Sequence, residues 1–376
     1  MLPCVLALGI TLPATAANIT VEMLGSQSGS WTSNPLLVVE GAKPLIGSTT
    51  SPEIIIRDTA PAMDTSIDFR IDQNIFNQAS FNSTDAHATA QIDISGERWN
   101  FILQQRADYD TTRTSEQTSI GSESGAKRHL GLSLSPKLSY SISPVDSLEL
   151  GGAWSISRYQ ANNYTDYKII SASIGWSRKI DTLNTAILKV TAQRYKTTEG
   201  SGVTNDTIGP SLGWKTQITP QLDASIAVGL QEAKERRAGV PNKAWKLQYT
   251  FSGNLSFRGE QDTVILAGSR NQYPYGNGSE ALQTALSLNE THAINPLFSL
   301  VSGISWQLSD YTTPQTGDTR TLTSANAGAR YKITQDISAA LTYQYRIKTI
   351  VNSSQTAQDN SVLFTLVYRP GPLATP

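Results

Sequence analysis

The stretch HLGLSLSPKLSYSI, residues 129–142, decides how the chain is read. Leu130, Leu132, Leu134, Leu138, Tyr140 and Ile142 take every second position, and Gly131, Ser133, Ser135, Lys137, Ser139 and Ser141 fall between them. A period of two puts all the apolar groups on one face of an extended strand, whereas a helix of period 3.6 would scatter them round its circumference. The same alternation returns far along the chain. Trp245, Leu247, Tyr249, Phe251, Leu255 and Phe257 alternate with Lys246, Gln248, Thr250, Ser252, Asn254 and Ser256, and Ile337, Ala339, Leu341, Tyr343 and Tyr345 with Ser338, Ala340, Thr342, Gln344 and Arg346.

Working outward, strands of this kind run from Ser66 to Tyr368 and are joined by connections that themselves alternate in length. Short turns are expected at Ser95 to Arg98, Ser143 to Asp146, Lys179 to Asn184, Thr219 to Gln221, Arg258 to Asp262, Ala293 to Pro296 and Thr334 to Asp336. Longer polar connections lie between them, the longest at residues 111–127. Short turns at one end and long loops at the other describe an all-β, antiparallel up-and-down transmembrane barrel, and counting from Ser66 gives about 16 strands. The even number leaves both termini on the short-turn side. Trp99, Tyr140, Trp176, Trp214, Tyr331 and Tyr368 fall near short turns, and Tyr109, Tyr195, Trp245, Trp306 and Tyr345 near long loops, as two interfacial girdles require.

Composition agrees. Of 376 residues, 39% are hydrophobic and 16% charged, and the formal net charge is −1. The low charge fraction excludes a highly charged disordered chain, and the balance of signs provides no global field for nucleic acid. Residues 1–17, ending in Ala14-Thr15-Ala16-Ala17, have the apolar run and small-residue end of a signal peptide, which is too short for a membrane-spanning helix. Cys4, the chain's single cysteine, lies within this segment. Residues 18–62 are broken by Pro35, Pro44, Pro52 and Pro61 and are expected to form a periplasmic extension or plug, with the barrel over 63–369 and a tail at 370–376.

The catalytic inventory is thin, so no enzyme is expected. His87, His129 and His292 are dispersed, with no metal-ligand spacing and no local Ser and carboxylate. Gly121 to Gly125 has Glu123 where a nucleophile elbow needs its nucleophile, and Asp108, Asp110, Glu116 and Glu123 lack the spacing of a cation loop. No cofactor is implied. If the apolar face meets lipid, the alternate positions face inward, among them Arg106, Lys189, Lys215, Lys246, Arg330 and Arg346 together with Asp93, Glu149 and Asp223. Such an interior is mixed in sign and leans basic, which favours small polar or anionic solutes, saccharides included. The alternative is a barrel whose pairs of opposite charge fill the interior and which does not conduct.

The sequence resembles the outer-membrane β-barrel porin-like family of Gram-negative bacteria, some members of which are associated with exopolysaccharide or exosortase loci. The resemblance covers about residues 63 to 369 and rests on Asp72-Gln73-Asn74-Ile75-Phe76, on the Arg106 to Glu116 segment and on turns such as Ile218-Thr219-Pro220-Gln221. It implies a location in the outer membrane and, as partners, outer-membrane lipid and lipopolysaccharide, the barrel-assembly machinery and polysaccharide-export components. It brings no catalytic residue. The chain departs from the pattern by continuing from Arg369 to Pro376 beyond the terminal aromatic Tyr368.

Overall fold

A computed structural model describes residues 18–115, 127–160, 164–198, 202–237, 239, 244–274, 280–311, 319–371 and 373–374. Nearly all of them are strand. β1 (Asn18–Thr32) through β18 (Gln355–Tyr368) each pair antiparallel with the next in sequence, and β1 pairs with β18 from Gly25↔Tyr368 to Thr32↔Ser361. The sheet is therefore closed into an 18-strand barrel with no free edge, and the two residues Leu373–Ala374 (β19) fold back onto Thr20 and Val21 of β1. Residues 1–17, the expected signal peptide, lie outside the described residues, as do Glu116, Glu123 and Gly121 to Gly125.

The strand count corrects the sequence reading. Residues 18–62 are neither extension nor plug: β1 and β2 (Leu45–Ala60) are full staves of the wall, paired over their whole length. Pro35 and Pro44 lie in the connection between them and Pro61 in the turn that follows. Pro52 lies inside β2, opposite Gly25 of β1. On the other side, pairing with β3 (Met63–Phe76) skips from Thr50↔Gln73 to Glu53↔Arg70, because proline has no N–H to give. Pro136 in β6 (Arg128–Ser141) and Pro210 in β10 (Val203–Thr219) leave the same two-residue gap on one neighbour only. A long strand with a full ladder on its other side survives such a gap.

The short turns fall where the sequence puts them, and their side chains explain why. Ser143 Oγ accepts from the backbone N–H of Val145 and Asp146, Asn295 Oδ1 from Leu297 and Phe298, and Thr334 Oγ1 from Asp336 and Ile337. Asp181 accepts from the Leu183 and Asn184 amides, and the Asn184 side chain donates to it, holding its carboxyl below the ordinary range.

Cross-strand partners share a face, so the register sorts every strand residue to one side of the wall. One side is apolar and open: Leu212, Ile226, Val228, Leu188, Ile174 and Leu341 are all exposed. In an isolated chain these groups would face water, so they mark a belt that meets hydrocarbon. Trp99, Tyr140, Trp176, Trp214, Tyr331 and Tyr368 all border it at the short-turn end, exposed as a girdle requires. At the other end Tyr109 and Trp245 do the same, but Tyr195 does not. It shares the parity of Lys189 and Gln193, points inward, and is fully buried against Tyr167 and Val203.

Candidate functional site

The barrel interior is lined mostly by polar and charged side chains. Every inward position expected from the sequence falls on the face opposite the belt, with these neighbours in register: Arg106 beside Ser133, Lys189 beside Gly175 and Ser211, Lys215 beside Ser225, Lys246 beside Ala233, and Arg330 beside Ser299.

Charges are segregated around this interior. Strands β1 to β5 (Trp99–Thr111) carry Glu22, Glu53, Asp64, Asp68, Asp72, Asp93 and Asp108, accompanied by Arg57, Arg70 and Arg106. Arg57 pairs with Glu22, Arg70 lies 3.1 Å from Asp72, and Arg106 lies 2.6 Å from Asp108. His87 bridges two strands, with Nδ1 2.7 Å from Asp108 and Nε2 3.4 Å from Asp72. From β6 to β12 (Lys246–Arg258) the sign reverses: Lys137, Lys179, Lys189, Lys215, Arg237, Lys246 and Arg258 face inward against Glu149, Asp223 and Glu235. Lys137 is 2.6 Å and Lys189 3.9 Å from Glu149, and Arg258 is 3.3 Å from Asp223. A negative wall faces a positive one across the lumen, which sets up a transverse field.

Two of these inward residues are also engaged in tying neighbouring strands together. Asp93 accepts from Asn100 Nδ2 at 2.5 Å. Arg346 donates to Asp359, which is fully buried and also accepts from Thr32 and the Asn34 amide. This knot locks β17 (Ile337–Ile350) and β18 to the loop after β1, at the seam where the barrel closes. His129 and His292 likewise each meet an aspartate of the adjacent strand, Asp110 at 2.8 Å and Asp262 at 2.6 Å. Among the described residues no group of His, Cys, Asp and Glu is placed to hold a metal.

The lumen narrows on one side. Pairing between β12 and β13 (Asp262–Pro274) ends at Phe251↔Arg270, although both strands continue past that point. Beyond it, the ends of β13 and β14 (Glu280–Ala293) pass inside the wall. Gln272 donates to Gln248 at 3.2 Å, and Asn205, on the inner face of β10, donates to Glu280, which is buried. Beneath this inturned end lies a pocket of about 320 Å³ lined by Gln193, Thr207, Ser211, Gln231, Thr250, Ser252 and Asn271, with no charged side chain in its lining. Gly209 forms part of its floor, and a Cβ there would lie 2.0 Å from the Leu230 carbonyl oxygen. Only glycine permits β10 and β11 (Leu222–Arg237) to approach so closely beside the Pro210 gap.

Compared with solved structures, the chain is similar to Pseudomonas aeruginosa OccK2 (OpdF), with 8% identity, a TM-score of 0.53, and coverage of 95% of this chain and 98% of that one. Acinetobacter baumannii OccAB3 gives 9% identity, a TM-score of 0.51, and coverage of 94% and 99%. The barrel has the fold of outer-membrane channels. A further OccK2 structure, a complex with glucuronate, matches at 8% identity with a TM-score of 0.52 over 93% of this chain and 98% of that one. The model of the MetA-pathway of phenol degradation family matches residues 117–245. Among curated protein sequences the chain matches none.

Proposed function

We propose that the protein is an outer-membrane channel for small polar solutes, with saccharides and sugar acids as the class that suits its interior best. The carrying observation is the closed 18-strand barrel whose inner face is predominantly polar, with an acidic wall on β1 to β5 and a basic wall on β6 to β12. Barrels of 16–18 strands are wide enough to enclose water. A transverse field orients a dipolar solute, while the uncharged pocket beneath the β13–β14 end presents hydroxyls and amides to its hydroxyl groups. The glucuronate bound to OccK2 supports a sugar acid as a compatible cargo for this fold.

The interior is read as a path for transport. His87 and His129 are taken up there in cross-strand pairs with Asp108 and Asp110, His292 pairs with Asp262 on the outward face, and no nucleophile and base with a third orienting group is brought together by the described residues. Arg106, Lys189, Lys215, Lys246 and Arg330 are read as pore-lining, together with Glu149 and Asp223. Asp93 and Arg346 serve the wall. The signal peptide, the assembly machinery as partner and a link to polysaccharide export belong to the same reading.

Single-channel recording of the refolded protein in a planar bilayer tests it. Stable conductance steps, and a reversal potential that moves toward cations when Lys137, Lys189 and Lys215 are changed to Gln, are expected. A folded, heat-modifiable barrel that never conducts would establish the accessory, non-conducting alternative.

A further inference from the structure

The outward face carries a feature that solute passage does not use. At the long-loop end, β1, β2, β3 and β5 present Trp31, Ile46, Ile75 and Tyr109 outward, all uncharged and exposed. The outward face of β8 (Tyr167–Lys179), β9 (Asn184–Thr197), β10 and β11 instead presents Lys168, Arg194, Lys196, Lys234 and Arg236, gathered around Asp206. Arg194 lies 2.5 Å from Asp206, and Arg236 pairs with the same carboxylate. The two guanidinium side chains nevertheless remain 61% and 45% exposed, so one aspartate orients both without using up their donors.

The height of the cluster is fixed by register. Arg194 is directly opposite Ile170, itself opposite Trp154, and both are exposed on the lipid-facing belt. On the far side Lys234 lies 5.7 Å over the Trp245 ring, and Glu232 is opposite the exposed Leu247. Apolar and aromatic belt residues thus flank the basic groups along the same rows, which places the cluster at the lipid boundary and not in the water above it. Its four strands, about 4.8 Å apart, make a patch roughly 14 Å wide. Lysine and arginine fixed at that boundary hydrogen-bond phosphate oxygens strongly.

We propose that this face is a binding site for the phosphorylated sugar headgroup of an outer-leaflet glycolipid, with its acyl chains lying along the belt below and its phosphates held by Arg194, Arg236 and the three lysines. The site is independent of whether the barrel conducts.

The test uses native mass spectrometry of the full-length protein in detergent, titrated with a diphosphorylated disaccharide glycolipid, with the same glycolipid lacking both phosphates, and with inorganic phosphate as competitor. The wild type is expected to retain the diphosphorylated form preferentially. Each basic residue at an anionic lipid surface is worth about fivefold in affinity, so Lys168→Gln/Lys196→Gln/Lys234→Gln should weaken binding by roughly a hundredfold. None of these three lysines has an ion-pair partner within salt-bridge distance among the described residues, so the folded, heat-modifiable form should persist. A second variant, Arg194→Gln/Asp206→Asn/Arg236→Gln, removes the triad without leaving a lone charge and should show the same loss. Equal retention of the dephosphorylated glycolipid, a preference that survives in both variants, or displacement by millimolar inorganic phosphate would each overturn the proposal.

Discussion

Leu212→Arg tests the assignment of the two faces. Leu212 is 63% exposed in the middle of β10, with Leu188 and Val228 opposite it on the adjoining strands, both exposed and aliphatic. A strand rising about 3.4 Å per residue and tilted about 45° climbs roughly 2.4 Å of membrane per residue. Trp214 of the short-turn girdle is two residues away along β10, so Leu212 lies about 5 Å of height inside that girdle, within the apolar belt and on the short-turn side of its midplane. An arginine costs about 2–4 kcal/mol at the midplane of a barrel and progressively less toward its girdles, so about 1–2 kcal/mol, or roughly 5- to 30-fold in the folding equilibrium, is expected at this depth. Ser252→Arg provides the control, because Ser252 is on the inner face opposite Ala227 and Ser269 and lines the uncharged pocket. It should fold as the wild type does and lower conductance. Urea titration of folding into lipid vesicles, read by tryptophan fluorescence and by mobility on unboiled gels, measures both. Equal tolerance of the two arginines would refute the register, and with it every inward and outward assignment made from it.

Asp359→Ala should cost about 3–5 kcal/mol in the same titration, because it strands Arg346 at the seam and removes the acceptor of Thr32 and of the Asn34 amide; adding Arg346→Met should recover part of the loss. Gly209→Ala should destabilise by roughly 1–3 kcal/mol, since its Cβ would meet the Leu230 carbonyl, and the neighbouring Ser211→Ala, which makes no such contact, should fall within about 0.5 kcal/mol of wild type. Changing Arg57, Arg70 and Arg106 to Gln together should move the reversal potential toward cations by making the acidic wall more negative, the same direction expected from loss of the lysines opposite.

Much of this architecture was legible because alternation, turn chemistry and loop length are local signals. HLGLSLSPKLSYSI gives its face assignment residue by residue, and Ser143, Asp181, Asn295 and Thr334 each announce a turn through a side chain that satisfies nearby amides. What was missed depends on partners distant in sequence. Pro52 reads as a strand breaker, yet in β2 it costs one side of one ladder because β1 supplies the other, and Pro136 and Pro210 are accommodated alike. With β1 and β2 left out, Glu22, Glu53 and Arg57 were absent from the interior and the segregation of charge was invisible. Arg258 reads as a turn residue but ends β12 facing inward, and Asp359 reads as the edge of a loop, although β18 starts at Gln355. Tyr195 has a girdle residue's position along its strand but the inward parity of Lys189, and the ladder with β8 (Tyr167–Lys179) and β10 keeps that parity unbroken. The inturned end of β13 and β14 has no local signature, since it arises where β12 and β13 part company.

The central claim is that the inner face is a path for solute, and chemical modification of a single inward position during recording tests it most directly. The mature chain expected after removal of residues 1–17 has no cysteine, so Ser252→Cys would carry its only thiol. Single-channel conductance of that variant, recorded before and after addition of a membrane-impermeant cationic thiol reagent, should step down and stay down, while Leu212→Cys on the lipid face should not respond. A barrel that conducts identically before and after modification of Ser252→Cys, with labelling verified by mass, would contradict the account.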